Sequence, residues 1–107
     1  MSPTNTPIPL QPGRAHSLSA QQSGDAVNLS WSAPDDGGQV SGYRIWRRLP
    51  KKGEKALIAL VDNTGSAATS YTDSSAEDRQ KHIYRVQALG PSGEGQNSKP
   101  AEILVRR

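Results

Sequence analysis

Three short stretches of the chain alternate bulky or apolar residues with mostly polar ones. They span residues 27–31, 43–46 and 82–88, and each carries a tryptophan or tyrosine on its apolar phase. A period of two residues is that of a β-strand with one buried face and one solvated face. The alternation predicts an antiparallel fold whose inward positions include Val27, Leu29, Trp31, Tyr43, Ile45, Tyr84 and Val86.

Clusters of Gly, Pro, Asp and Asn interrupt this pattern at short intervals. They lie at residues 23–25, 34–38, 50–53, 62–65 and 90–93. Gly supplies positive φ and Pro presets φ, so each cluster predicts a turn. Between the turns we predict seven strands, at residues 16–20, 26–31, 42–49, 56–61, 69–72, 81–89 and 101–105. No segment carries a sustained helical stripe, so the pattern indicates an all-β sandwich or barrel.

Residues 1–13 differ in composition from the rest of the chain. They contain four prolines among small polar residues, namely Pro3, Pro7, Pro9 and Pro12. Such a composition favours an extended path and cannot build a core. We therefore predict a flexible linker or tail over residues 1–13, followed by one compact domain over residues 14–107.

Composition narrows the class of protein further. The chain has no cysteine, which excludes disulfides and thiolate metal sites. Its formal net charge of +3 is modest, so no nucleic-acid partner is expected. No apolar stretch approaches the roughly 20 residues of a membrane helix, and the first residues lack the layout of a signal peptide. We expect no membrane insertion, although a piece of a longer exported chain would have the same features.

Residues of catalytic type are few and poorly placed for chemistry. His16 and His82 lie far apart, and Asp35 and Asp36 are neighbours in a predicted exposed turn. The glycine-rich run at residues 90–95 lacks the Lys and the Ser or Thr of a phosphate-binding loop, so we predict a hairpin loop there. The sequence therefore predicts no enzyme, no catalytic residue, no metal and no cofactor.

Several residues follow, in order, the pattern of one family. Trp31 ends the second predicted strand, Pro34 follows it, and Gly42-Tyr43 opens the third. Further matches lie at residues 70–73, 84–88 and 98–100. Over residues 14–107 the chain resembles a fibronectin type III domain of the kind common in bacterial multidomain proteins. The resemblance implies an immunoglobulin-like antiparallel sandwich of seven strands, with A, B and E in the family's lettering packed against C′, C, F and G.

The chain departs from the family pattern before the sixth predicted strand. His82 occupies the position where the family usually has a corner tyrosine, and residues 76–79 lack the usual Leu and Pro. The corner between the fifth and sixth strands must therefore be built differently. We interpret His82 as a core residue that donates to a backbone carbonyl.

Strand parity predicts one candidate binding surface. With Tyr43 inward, the outward positions of the third and sixth strands are Arg44, Trp46, Arg48, Ile83, Arg85, Gln87 and Leu89. Trp46 flanked by Arg44 and Arg85 could hold a cation–π stack across the strands. Because Arg and aromatic residues are typical anchors of interfaces, the candidate partner-binding residues are Arg44, Trp46, Arg48 and Arg85. Two interpretations stay open: the face docks a partner, or the stack only stiffens the sheet and covers Trp46.

A second basic group crosses the turn after the third strand and could attract polyanions. It comprises Arg47, Arg48, Lys51, Lys52 and Lys55. The resembled topology brings Asp73, Glu77 and Asp78 to the same end of the sandwich. At that range, within a Debye length of about 8–10 Å, the carboxylates would offset part of the positive field.

The resemblance implies a non-catalytic spacer or protein-interaction module within a larger exported or cell-surface protein. Its partners would be neighbouring domains of the same chain, with another protein or a glycan at the C–F–G face, and the isolated domain would be monomeric and extracellular. The alternative is a carbohydrate- or polyanion-binding accessory domain of a polysaccharide-active enzyme. That alternative lacks a row of exposed aromatic side chains, since Trp46 stands nearly alone on its face.

Overall fold

The computed structural model describes residues 12–49, 58–76, 79–91 and 93–106, and eight β-strands lie within these ranges. They are β1 (His16–Ser23), β2 (Ala26–Ser32), β3 (Gly42–Arg48), β4 (Ile58–Val61), β5 (Ser70–Asp73), β6 (Lys81–Gly90), β7 (Gly93–Asn97) and β8 (Ala101–Leu104). No helix occurs in the described ranges. The predicted all-β fold class is confirmed.

The strands form two antiparallel sheets. One sheet has the order β1-β2-β5. The other has the order β4-β3-β6, and both β7 and β8 pair with the far edge of β6. This is the three-against-four arrangement that the family resemblance implies, with the last strand divided into two pieces.

The division of the last strand explains why eight strands stand where seven were predicted. It lies at residues 98–100, where Pro100 has no N–H to give to a ladder. Ser98 holds the two pieces in register, because its N–H donates to the Val86 carbonyl at 2.8 Å and its Oγ accepts from the Val86 N–H at 2.9 Å. The hairpin loop predicted over residues 90–95 was too long, since Gly90 pairs with Gly93 and β7 begins there.

The core lies between the sheets and uses the inward phase that the alternation predicted. At its centre the rings of Trp31 and Tyr43 meet edge to face, with centroids 5.1 Å apart. The buried cluster consists of Ala15, Val27, Leu29, Trp31, Tyr43, Ile45, Ala76, Tyr84, Val86, Ala88 and Val105. Full burial of a large apolar side chain contributes about 1.5–3 kcal/mol, so these few residues supply most of the apolar stabilisation.

The corner between β5 and β6 is fixed by a tyrosine at a different position from the family's. His82 is buried on the inward phase of β6, with its ring centroid 6.4 Å from that of Tyr84. Its predicted bond to a backbone carbonyl stays a prediction. Tyr84, two residues further on, donates its hydroxyl to Asp73 at the end of β5, over 2.6 Å.

Pro12 and Gly13 lie against the domain, next to the connection between β2 and β3. Pro12 is buried and forms an isolated bridge with Gly37, and the Gly13 N–H donates to the Asp36 carbonyl at 3.2 Å. Residues 1–11 lie outside the described ranges. The boundary that we predict between residues 13 and 14 stays a prediction.

Candidate functional site

The outward side chains of β3 and β6 form the surface on which the sequence places its partner-binding candidates. We call it the Trp46 face. Its residues are Arg44, Trp46, Arg48, Ile83, Arg85, Gln87 and Leu89. The register puts Arg44 opposite Gln87, Trp46 opposite Arg85, and Arg48 opposite Ile83. The predicted parity of both strands is therefore correct, and the four candidates share one face.

Four side chains at the centre of the Trp46 face bond to one another. Arg44 Nη1 lies 3.2 Å from Glu94 Oε2 and donates to Gln87 Oε1 at 3.1 Å. The indole N–H of Trp46 donates to the same Gln87 oxygen at 3.3 Å. The guanidinium carbon of Arg44 lies 5.7 Å from the centre of the Trp46 ring. The contact between Arg44 and Trp46 thus runs along β3.

Arg85 and Arg48 flank this centre on the side away from Arg44. Arg85 donates through Nη1 to the Ser98 carbonyl at 2.9 Å, which ties it to the break between β7 and β8. Arg48 makes a long contact of 3.5 Å with the Leu49 carbonyl. Since Ser98 also bonds to Val86, the position of Arg85 is coupled to the interrupted edge strand.

Two apolar positions of the Trp46 face are buried, although parity alone predicted them as outward. Ile83 is 3% exposed and Leu89 is 7% exposed, and neither belongs to the core cluster between the sheets. The register places Ile83 between Arg48 and Glu102. Long charged side chains can lay their apolar stems over neighbouring surface, and Arg48 and Glu102 are placed to do so at Ile83.

One member of the second basic group, Arg47, is paired within the domain. Arg47 lies on the inward phase of β3, and its Nη1 donates to Asp73 Oδ2 at 2.8 Å. The guanidinium is thereby neutralised inside the sandwich and is unavailable to a polyanion. Lys51, Lys52 and Lys55 lie outside the described residues.

A buried carboxylate joins the two sheets at this end of the molecule. Asp73 is 1% exposed. Its Oδ2 accepts from Arg47 and from the Tyr84 hydroxyl, and its Oδ1 accepts from the Ser75 N–H at 2.9 Å and the Ser75 hydroxyl at 2.7 Å. Arg47 also donates to Ser75 Oγ at 2.9 Å. We call these four residues the Asp73 cluster.

The Asp73 cluster shifts the ionisation of two of its members. Burial alone would raise the pKa of Asp73, but the hydrogen bonds that it accepts from Tyr84, Ser75 and Arg47 outweigh burial and lower it. Burial raises the pKa of the Tyr84 phenol, and the hydrogen bond to the Asp73 carboxylate raises it further. The ionised carboxylate and the neutral phenol are therefore both stabilised in the folded state.

Strand parity in the sequence could have predicted two members of this cluster, Arg47 and Asp73. Arg47 follows Tyr43 and Ile45 at a spacing of two, which places it inward, and Asp73 follows Tyr71 in the same way. Because Arg47 also belongs to a run of basic residues, it was assigned to that run, and its inward position was missed. The hydroxyls of Ser75 and Tyr84 give no comparable signal, because their bonding depends on how the corner closes.

The described part of the chain offers no metal site. No group of three or more His, Asp or Glu side chains that could hold a metal occurs there. Nor does this part contain a helix long and apolar enough to cross a membrane. An open groove of about 530 Å³ lies beside the N-terminal segment and β7, lined by Pro12, Gly13, Arg14, Asp36, Glu94, Gly95 and Gln96.

Two antiparallel sheets packed in this strand order define an immunoglobulin-like β-sandwich. The edge-to-face Trp31 and Tyr43 pair at its centre comes from β2 and β3, where the sequence pattern predicted it. The chain belongs to the fibronectin type III domain family, whose model matches residues 11–104.

Solved structures show the same fold at low sequence identity. Domains A168–A170 of titin align with a TM-score of 0.77 and 20% identity, over 90% of this chain and 32% of that chain. The twitchin kinase region from C. elegans gives 0.78 and 23%, over 91% and 17%. An Fn3-like protein from Clostridium thermocellum gives 0.70 and 24%, over 94% and 97%. The chain thus spans less than a third of the titin and twitchin chains, which carry the fold as one module among several.

Proposed function

We propose that the chain is a non-catalytic spacer and interaction module of a larger exported or cell-surface protein. One observation carries the spacer role: the chain reaches the sandwich at one end and leaves it at the other. Pro12 bridges Gly37 next to the start of β1, whereas Arg106 is held next to the end of β1. Modules joined on both sides would be arranged end to end.

The C-terminal end of this path is fixed by an amide side chain. The Arg106 N–H donates to Gln22 Oε1 at 2.7 Å, and the Gln22 amide donates to the Arg106 carbonyl. The Gln22 side chain therefore makes, to the main chain of Arg106, the two hydrogen bonds that a neighbouring strand would otherwise make. Arg106 is the last described residue. Because Gln22 stands one residue before the end of β1, the chain leaves at the turn between β1 and β2.

X-ray scattering from a tandem of two copies tests the spacer role. We expect a rod whose maximum dimension is close to twice that of one copy, since the two ends of the path lie at opposite poles. The matched control is a mixture of two unlinked copies at the same concentration. A compact particle with the two copies side by side would contradict the proposal.

The interaction role is assigned to the Trp46 face, through Arg44, Trp46, Arg48 and Arg85. Arginine and tryptophan supply both charge and flat apolar area, which is typical of interface anchors. Glu94 pairs with Arg44 at one side of the face. The formal net charge of +3 favours a partner protein with acidic groups.

The Trp46→Ser variant distinguishes a face that docks a partner from a face that only stiffens the sheet. If the face docks an acidic protein, the variant loses binding to immobilised polyglutamate by at least about tenfold, which is about 1.4 kcal/mol. Leu104→Ser is the control, because Leu104 is 42% exposed on β8 of the same sheet but outside the Trp46 face. Unchanged retention with lowered stability would leave the Trp46 face a purely structural feature.

Glycan stacking receives less support from the geometry. The Trp46 ring is partly buried, carries Arg44 against it, and gives its N–H to Gln87. Within the described ranges the exposed large apolar side chain is Leu104, which is not aromatic. A glycan array that includes heparin, run beside the polyglutamate probe, would reverse this order of preference if only glycans bound.

A further inference from the structure

The segment formed by Pro12 and Gly13 lies across the end of the sandwich and touches several elements at once. Pro12 forms its bridge with Gly37, and the Gly13 N–H donates to Asp36. On the other side, Arg14 Nη2 donates to Gln96 Oε1 of β7 at 2.8 Å. The segment is therefore held both by the connection after β2 and by the edge strand β7.

Three glycines make room for this segment. A Cβ at Gly95 would lie 2.4 Å from the Gly13 carbonyl oxygen and 2.8 Å from that of Pro12. A Cβ at Gly90 would lie 2.1 Å from the Gln39 oxygen and 3.0 Å from Pro12 Cγ. A Cβ at Gly13 itself would lie 2.7 Å from the Asp36 carbonyl oxygen.

Apart from Pro12 Cγ, these close approaches involve main-chain atoms, which cannot rotate away as a flexible side chain can. Any side chain at Gly95 would therefore push the segment off β7 or displace the strand itself. Pro12 adds to the fit, because its ring restricts φ and lowers the conformational entropy lost on docking. Gly95 thus leaves room for the main chain of residues 12 and 13, and Gly90 leaves room for the Pro12 ring and for Gln39.

We propose that Pro12–Gly13 acts as a strap that fixes the direction in which the chain reaches the domain. The inference rests on the proposed role as a module of a larger chain. The path of the chain is then fixed from Pro12 onward, so the point about which an N-terminal module can move lies before Pro12 and not at the start of β1. Because β7 also gives Glu94 to Arg44, the strap and the Trp46 face share one edge strand.

Gly95→Ala tests the strap in the chain as it stands. Amide hydrogen exchange, read by NMR, should show the Gly13 N–H exchanging at least about tenfold faster in the variant, because its acceptor on Asp36 is lost when the segment lifts. The amides of β6, such as Val86, should keep their protection. Both exchange rates are measured in the same sample. Faster exchange at Gly13 with unchanged protection in β6 therefore indicates local release of the segment and not global unfolding.

Gly24→Ala is the matched control. Gly24 lies in the turn at the opposite end with φ of +59°, and a Cβ there would meet nothing within 4 Å. The substitution strains the backbone without touching the strap. We expect the Gly13 amide to keep its wild-type protection relative to the β6 amides.

Should Gly95→Ala fail to fold, Gln96→Ala keeps the inference testable. Removal of the Arg14 contact should speed exchange at Gly13 by a factor of about two to five and leave β6 unchanged. Wild-type Gly13 exchanging at the rate of an unprotected amide, or no change in either variant, would overturn the strap.

The effect on a neighbouring module is read from a tandem of two copies by NMR relaxation. Seating residues 12 and 13 shortens the free linker between the two units, so Gly95→Ala in the second unit should shorten the rotational correlation times of both units. Equal correlation times in the wild-type and Gly95→Ala tandems would contradict the strap even if Gly13 were protected. Loss of binding in Trp46→Ser leaves these readouts unaffected, so the two proposals can fail separately.

Discussion

The two ends of the sandwich are held together by different chemistry. At one end, the Asp73 carboxylate accepts four hydrogen bonds from three residues and joins β5 to β3 and β6. At the other end, Pro12 and Gly13 are seated where Gly90 and Gly95 have no side chain. The first end depends on charge and protonation, and the second on volume.

The comparison shows what each solution contributes to the fold. A buried ion pair is weak evidence of net stability, because desolvation offsets much of the attraction, yet losing one partner is costly. The Asp73 cluster therefore contributes geometry above all: it sets the corner that the family usually fixes with a tyrosine at the position of His82. The glycine seat contributes close approach of two main chains and should be insensitive to pH and salt.

Asp73→Ala should have the largest effect at the charged end. It leaves the Arg47 guanidinium buried without its carboxylate and the Tyr84 hydroxyl without its acceptor, which costs about 3–5 kcal/mol. A domain of this size is stable by about 5–15 kcal/mol, so the variant should be close to unfolding at 25 °C. Urea unfolding followed by tryptophan fluorescence measures the loss.

Asp25→Ala provides the control for that substitution, because Asp25 is exposed in the turn between β1 and β2. Its effect should stay within about 0.5 kcal/mol. If Asp73→Ala lowered the free energy of unfolding by less than about 1 kcal/mol, the Asp73 cluster would contribute little to stability, and the contrast between the two ends would not hold.

Tyr84→Phe isolates one bond of the same cluster. The ring stays in the core, but Asp73 loses a donor at 2.6 Å. Hydrogen bonds to a charged group contribute about 1.5–3 kcal/mol, and we expect a loss of that size in the free energy of unfolding. Tyr71→Phe on β5 is the control, with an expected change below about 0.5 kcal/mol. Equal losses in both variants would show that the Tyr84 hydroxyl bond has no special weight.

Gly90→Ala probes the opposite end. Its Cβ would meet the Gln39 carbonyl oxygen at 2.1 Å, so the strand or the connection must shift, at about 1–3 kcal/mol. The loss should be the same at pH 7 and pH 4, because main-chain contact has no titrating group. Elsewhere the same change can stabilise by restricting the unfolded chain, and a gain in stability here would refute the steric reading of this end.

Much of the fold followed from the sequence, because alternation and turn residues act locally. The predicted inward positions from Val27 to Val86 are correct. With a period of two, burial of one face of a strand fixes which of its side chains point inward. The break at Ser98 was missed because a serine hydroxyl replaced a main-chain acceptor in the ladder, which no periodicity records.

The candidate site was less predictable, for a related reason. Parity placed Arg44, Trp46, Arg48 and Arg85 on one face correctly, but it carried no information on which side chains would satisfy each other. Gln87 proved to be the acceptor for both Arg44 and Trp46, and Ile83 was buried by its neighbours. Such outcomes depend on side chains from three or four strands that meet only after folding.

The smallest expected effect is the pH dependence of the charged end. The pKa of Asp73 is lowered in the folded state by the bonds from Tyr84, Ser75 and Arg47, whereas in the unfolded chain it is about 3.9. The resulting stability is fully present above pH 4 and is lost as the pH falls below that value towards the folded pKa, because the unfolded state then binds the proton first. Between pH 5 and pH 3, wild-type protein should therefore lose more stability than Asp73→Asn, with Tyr84→Phe between them and Gly90→Ala following the wild-type slope. Urea midpoints at four pH values measure the difference, and an Asp73→Asn variant that lost stability as steeply as wild type would show that the carboxylate does not link this end of the sandwich to pH.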